Sequence, residues 1–300
     1  MRGHARRSSR PSSGWRASCG CSGLAASQST TPKTCGHHAN VTPRPCGVSR
    51  WSRAGVGSGD PLEGHMSNDR MLSGALMIAV PVVFASGFAG LQMVFDYPDI
   101  LRHPAGEVLT RFAAAGVELH LFWYAMMAAA LAFIPAAIAL ALYFRASNPT
   151  VAAFSAGFGI LAGLVQALGL LRWVMLVPVL AASYVAPDAS EARKEMAMAL
   201  FDTANRYLGM GVGEHLGYLF TALWTLTIAM LVWQRFRWLA LAGVVIAAGV
   251  AFGMLEPFGV AGAGDINSIA FSAWALWALA LGVVLLWRGK DTVMPAPLAA

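Results

Sequence analysis

The sequence predicts an all-α polytopic membrane bundle of about six transmembrane helices, with two short outer amphipathic helices. Three observations carry this. Six apolar stretches are each long enough to cross a bilayer. Only 12% of the 300 residues are charged, against roughly 25% in soluble domains, and the mean hydropathy is +0.58. Lys and Arg fall mostly in alternate short connections, as positive-inside threading requires.

The N-terminal segment stands apart. Residues 1–65 carry a net charge of +7, and residues 66–300 a net of −1. All four cysteines (Cys19, Cys21, Cys35, Cys46) lie in that first segment. It is rich in Ser, Gly, Arg, Pro and Thr, without apolar periodicity, and is expected to be a disordered basic segment. Arg6-Arg7 is followed by no apolar stretch of the kind an export signal needs. Cys19-x-Cys21 and Cys35-x-His37-His38 depart from the zinc spacings C-x₂₋₄-C and H-x₃₋₅-H. Leu62-Glu63-Gly64-His65 before Met66 allows a purine-rich ribosome-binding site in the coding strand. The expectation is therefore a start at Met66, with 66–300 as the six-helix domain.

The first span, 71–95, has no charged residue over 25 positions, more than the roughly 20 needed to cross ~30 Å of hydrocarbon. Further spans follow at about 116–144, 151–183, 208–233, 238–258 and 267–287. Pro81, Pro135 and Pro178 are predicted to kink three of them. Gly159-x-x-x-Gly163 and Gly249-x-x-x-Gly253 have the spacing that lets helices approach closely. The connection 96–115 and the stretch 186–207 read as the two amphipathic helices. In the second, Asp188 with Glu191 looks like a helix start, and Met196, Leu200 and Tyr207 recur at helical spacing.

Arg70, Arg145, Arg235, Arg237, Arg288 and Lys290 share one side of the threaded chain. That side is expected to be cytoplasmic, with both termini inside. Trp233, Trp238 and Trp287 sit beside these basic residues, as an interfacial belt does.

Six ionisable residues then fall in the opposite half of the bilayer: Glu118, His120, Arg172, Glu214, His215 and Glu256. Charge in hydrocarbon is costly and calls for a reason. Arg172 cannot neutralise itself by losing a proton, so a carboxylate, Glu214 or Glu118, is the expected partner. Counted by helix rise, Arg172 is expected to lie deepest, on the order of 10–16 Å in. Glu118 and His120 point about 200° apart, so only one faces the bundle axis. Glu214 and His215 can border one cavity, and Tyr218 follows Glu214 at i+4.

Several uses of the cluster are open. One is a salt-bridged latch between the third and fourth helices. A second is an outward-facing polar cavity for a small solute or ion, with Arg172 anchoring an anion. A third is a metal- or haem-dependent membrane enzyme, resting on His120, His215 and the carboxylates. No HExxH spacing, phosphate-binding glycine loop or nucleophile elbow is present, so cofactors are left unassigned and no nucleic-acid partner is expected. The lipid bilayer is the one partner the composition demands. The leading reading is a non-enzymatic membrane protein of transport, sensing or structural role.

Three stretches, FDYPDILRHPAGEVLTRF (95–112), ANRYLGMGVGEHLGYLFTALWT (204–225) and GMLEPFGVAGAGDIN (253–267), resemble the bacterial integral-membrane family DUF4386. The resemblance covers about residues 70–290. It implies several helices and a bacterial inner membrane, and it assigns no role to any residue.

Overall fold

A computed structural model describes the backbone of residues 61–287 and the side chains of residues 68–287. The readings of residues 1–60, including the cysteines and the basic tail, lie outside the described residues. Helix α1 (Pro61–Phe95) begins upstream of Met66, with proline in its first turn, where the missing N–H is no loss. Among the described residues every regular element is helical.

After α1 come a 3₁₀ turn, Asp99–Arg102, and α2 (Ala105–Ala114). Helix α3 is Val117–Phe144, and α4 is Pro149–Leu171. A π-helical turn, Arg172–Leu176, joins α4 to α5 (Val177–Val185). Helix α6 (Glu191–Ala204) runs through a second π segment, Asn205–Leu216, into α7 (Gly217–Val232). Helix α8 is Arg237–Phe252, followed by a 3₁₀ turn, Gly253–Phe258, and α9 (Ala263–Trp287).

Six of the described helical stretches are long and apolar enough to cross a membrane: Asn68–Phe95, Val117–Phe144, Pro149–Val185, Glu191–Val232, Arg237–Phe258 and Ala263–Trp287. They close into a ring, because α1 packs on α3, α3 on α4, α4 on α7, α7 on α8, α8 on α9, and α9 back on α1. Arg70 within α1, Arg145 after α3, and Arg235 and Arg237 around the α7–α8 turn lie at one end, called here the basic end. Asn148 caps α4 by accepting from the Val151 amide, with Pro149 in the first turn.

Both glycine pairs singled out by spacing lie at helix crossings. A Cβ on Gly159 would meet Ala137 and Trp224, and one on Gly163 would meet the Ala130 carbonyl. Gly249 and Gly253 lie against Ala270 and Asn267 of α9.

Two large apolar cores fill the bundle, with a smaller one of Ala222, Ala247, Val250 and Ala270 among α7, α8 and α9. The one toward the basic end gathers Met77, Phe133, Leu140, Trp224, Ile228 and Trp277. The other gathers Phe95, Leu109, Phe112, Trp123, Trp173 and Phe201, beneath α2, α5 and α6.

Three expectations change here. Stretch 186–207 is no separate surface helix, because α6 is the first part of the fourth span. Its cap is Ser190, whose hydroxyl accepts from the Arg193 amide, and not Asp188. Ala197 and Phe201 are its buried residues, while Met196, Leu200 and Tyr207 are exposed. Helix α2 does match its amphipathic reading: it buries Ala105, Val108, Leu109 and Phe112 and turns Thr110 and Arg111 outward.

Candidate functional site

Proline chemistry accounts for where Arg172 sits. Pro178 has no N–H to give and its ring crowds the carbonyl one turn earlier. The chain meets this with wider π pairing over Arg172–Leu176. The π segment Asn205–Leu216 holds Asn205, Gly209, Glu214 and His215. Single π turns are rare and concentrate at functional sites. Both π segments of the described chain border the same guanidinium.

Arg172 is only 7% exposed. One guanidinium nitrogen donates to the Gly169 carbonyl, and the other donates to Asn205 Oδ1 at 3.1 Å. The group also lies 5.3 Å from the Trp173 ring centroid, a cation–π distance. Its Nε is buried without a hydrogen-bond partner. Gly209 supplies the floor: a Cβ there would lie 2.5 Å from a guanidinium nitrogen. Beside it, Gly169 and Gly213 bring the two helices to backbone contact.

The expected direct salt bridge is absent. No carboxylate among the described residues stands within 4.0 Å of Arg172. Glu214 and Tyr97 act on it only at longer range. The physical reason is the wide π turn, which sets the guanidinium against Asn205 and Gly209 instead. Trp173 then locks it from the other side. This ring stacks on Trp123 at 4.5 Å with an interplanar angle of 3°, and touches Phe95, Phe112 and Phe201.

Tyr97 enters the site from the turn after α1. Asp96 adopts a left-handed conformation, φ 56°, which aspartate tolerates better than most residues. That turn sends the Tyr97 ring back against Phe88 and Trp123. Burial, reinforced by Glu214, pushes the Tyr97 hydroxyl up to about 12, with Arg172 acting in the opposite sense.

The remaining residues separate. Glu214, His215, Tyr218 and Glu256 line one narrow cleft with Met210, Gly253 and Pro257. Tyr218 rests against Phe271 at 5.6 Å. The Glu256 carboxylate lies against Gly264 in the first turn of α9. Glu118 is exposed, whereas His120 is half-buried with its ring on Phe112 at 5.1 Å. Of that competing pair, His120 takes the inward place. The structure therefore brings together Glu214, His215, Tyr218 and Glu256, sets Arg172 apart on Gly169 and Asn205, and leaves Glu118 and His120 outside.

By helix rise, Arg172 lies about 35 Å from the start of α4 at Pro149, and Glu214 about 27 Å from the end of α7 at Val232. The third span continues beyond Arg172 to Val185.

Asn205, Gly209, Gly169 and Tyr97 were not singled out by sequence. The alternating Gly209, Gly211 and Gly213 were a visible signal, since small residues invite a side chain from a neighbouring helix. Among the described residues, no group of three or more His, Cys, Asp or Glu side chains converges to hold a metal ion. His120 packs on Phe112 while His215 lines the cleft with Glu256. The metal- or haem-dependent reading has no support in this arrangement.

The family model for a domain of unknown function, DUF4386, matches residues 72–289. The chain belongs to this family. The match takes in most of the first span and the whole of the other five in this DUF4386 member, including both π segments and every residue of the Arg172 site. No curated protein matches the chain, and neither does any solved structure.

Proposed function

We propose that this DUF4386 member is a non-enzymatic transport or sensing protein whose Arg172 site binds a small monoanion together with a proton. One observation carries the reading: a buried guanidinium keeps a free N–H and has no carboxylate in contact. A structural latch would be expected to close that gap, because an unpaired buried charge is costly.

The proton follows from charge balance. Glu214 acts on Arg172 at range, without contact. The other groups facing Glu214 are Tyr97, Tyr218 and Glu256, with His215 beside it in sequence. None but Arg172 carries a fixed positive charge. One guanidinium cannot balance both an entering anion and an ionised Glu214, so the anion enters with a proton on Glu214. By the distribution of Lys and Arg, the site faces the periplasmic side of a bacterial inner membrane, with both termini cytoplasmic.

The test uses purified protein in lipid nanodiscs and intrinsic tryptophan fluorescence, since Trp173 stacks beside Arg172. Acetate should change the emission with higher affinity at acidic than at neutral pH. Glu214→Gln should bind acetate with little pH dependence, and Arg172→Gln should not respond. A wild-type protein blind to acetate at every pH would return the site to a structural role.

A further inference from the structure

We propose that the proton reaches Glu214 along the cleft it shares with Glu256, and that Glu256, exposed at its mouth, is the acid that collects protons from water. The anion meets Arg172 outside that cleft, so anion and proton enter by separate routes. This rests on the proton-linked anion reading and adds the residue that feeds its proton.

Arg172 offers the proton no way in. Its guanidinium is 7% exposed, lies between Gly209 and Trp173, and is tied to Gly169 and Asn205. A fixed positive charge also repels an approaching proton. The cleft carries no such charge. Its lining includes the half-buried Glu214 and the exposed Glu256, which acts on Glu214 electrostatically. At about 10 Å³ it has room for one water, a proton carrier, and for nothing larger.

The backbone fixes Glu256 at that mouth. The 3₁₀ turn Gly253–Phe258 ends at Gly259, left-handed at φ 78°, whose amide donates to the Glu256 carbonyl at 2.9 Å. Glycine takes that conformation without a Cβ penalty. Buried Asn267 of α9 donates to the Val250 carbonyl at 2.9 Å, and Gly253 leaves room for its amide. The Glu256 carboxylate then rests against Gly264 in the first turn of α9.

The other titratable side chains lining the cleft, His215 and Tyr218, are half-buried. Asp265, exposed beside Gly264, does not line it. Glu256 is thus the titratable group of the cleft that meets water most fully. A proton from water neutralises its carboxylate. Glu256 passes that proton to water in the cleft, which gives one to a Glu214 carboxylate oxygen. Glu256 returns to its charged form, and Glu214 becomes a neutral acid.

A stopped-flow drop from neutral to acidic pH tests this, on nanodisc protein with saturating acetate and tryptophan fluorescence as the readout. Glu256→Gln should slow the emission change on the order of 10–100-fold, as loss of a positioned acid requires, and reach the same final emission. Glu256→Asp should keep most of the wild-type rate. Imidazole, a mobile proton carrier, should restore the rate of Glu256→Gln, which a merely structural role would not produce. The wild-type rate should not change with imidazole, and this measurement serves if Glu256→Gln does not fold. A Glu256→Gln protein as fast as wild type, a wild-type rate that rises with imidazole, or slowing by His215→Asn instead would overturn the Glu256 route, while pH-linked acetate binding keeps the proton-linked reading. Wild-type acetate binding without pH dependence would overturn both.

Discussion

Gly209→Ala should destabilise this protein, although alanine is the better helix former. In an ordinary helix interior the change gains about 0.5–1 kcal/mol. Here the added Cβ would lie 2.5 Å and 2.6 Å from a nitrogen and the central carbon of the Arg172 guanidinium. The guanidinium must move off. It then loses at least one charge-assisted hydrogen bond, to Gly169 or Asn205, worth about 1.5–3 kcal/mol. It also gives up its place over Trp173, worth roughly 1–2 kcal/mol when desolvated. Subtracting the helix gain leaves a net cost of about 2–4 kcal/mol. The same substitution in an Arg172→Leu background should reverse sign, because the group it displaces is gone. There, Gly209→Ala should stabilise by about 0.5–1 kcal/mol. Reversible unfolding in mixed micelles, followed by circular dichroism, gives both differences in one double-mutant cycle. Equal effects of Gly209→Ala in the two backgrounds would refute the packing of Arg172 on Gly209.

Three other outcomes follow. A cycle of Arg172→Leu with Asn205→Leu should show coupling of about 1.5–3 kcal/mol, larger than that of Arg172→Leu with Glu214→Gln in the same unfolding assay, since only Asn205 touches the guanidinium; a larger Glu214 coupling would restore the direct salt bridge. Gly169→Ala drives a Cβ into Gly213 backbone and should cost about 1–3 kcal/mol, while Gly157→Ala on the same helix, with nothing within 4 Å, should be neutral or stabilising by thermal melt. Glu107 accepts from His103 and is flanked by Arg111, which together hold its carboxyl below the usual range; a lowered folded pKa gives stability that is full above the ordinary glutamate pKa and fades as pH falls through the lower folded value, so Glu107→Gln should flatten the acid limb of a stability–pH profile, and an unchanged limb would show that this surface network contributes nothing.

The fold was legible because hydrocarbon imposes a simple length rule. A run such as 71–95, without charge, has one way to satisfy its backbone groups, and that is a helix. Loop arginines then fix alternation, and small residues such as Gly159 and Gly249 mark crossings. The failures came where that rule stops applying. Glu191–Ala204 carries charges on most faces, so hydropathy ends the fourth span near residue 208. The helix nevertheless continues, because Ser190 caps it and Phe201 packs on Trp173. Exposed Met196 and Leu200 could not be told from buried residues by spacing alone, since an apolar surround rewards apolar side chains on the outside as well.

The site was half legible for a different reason. Residue type alone identified Arg172 and Glu214, because charge in such a sequence stands out. Pairing them required helix faces, and faces were counted at 3.6 residues per turn. Two π segments break that count on both sides of the contact. Over the 12 residues Asn205–Leu216, i→i+5 pairing shifts the angular register by far more than one side-chain position. Asn205 and Gly209, neither conspicuous by charge, come to face the guanidinium, and Glu214 is carried past it toward Tyr218. The same shift that hid the contact leaves Arg172 with a free N–H and Glu214 with no fixed cation in contact. An ideal α-helical crossing would have let the two charges pair and closed the site. Opening it leaves a buried guanidinium without a carboxylate in contact, and the proposed anion and proton are what would offset that cost.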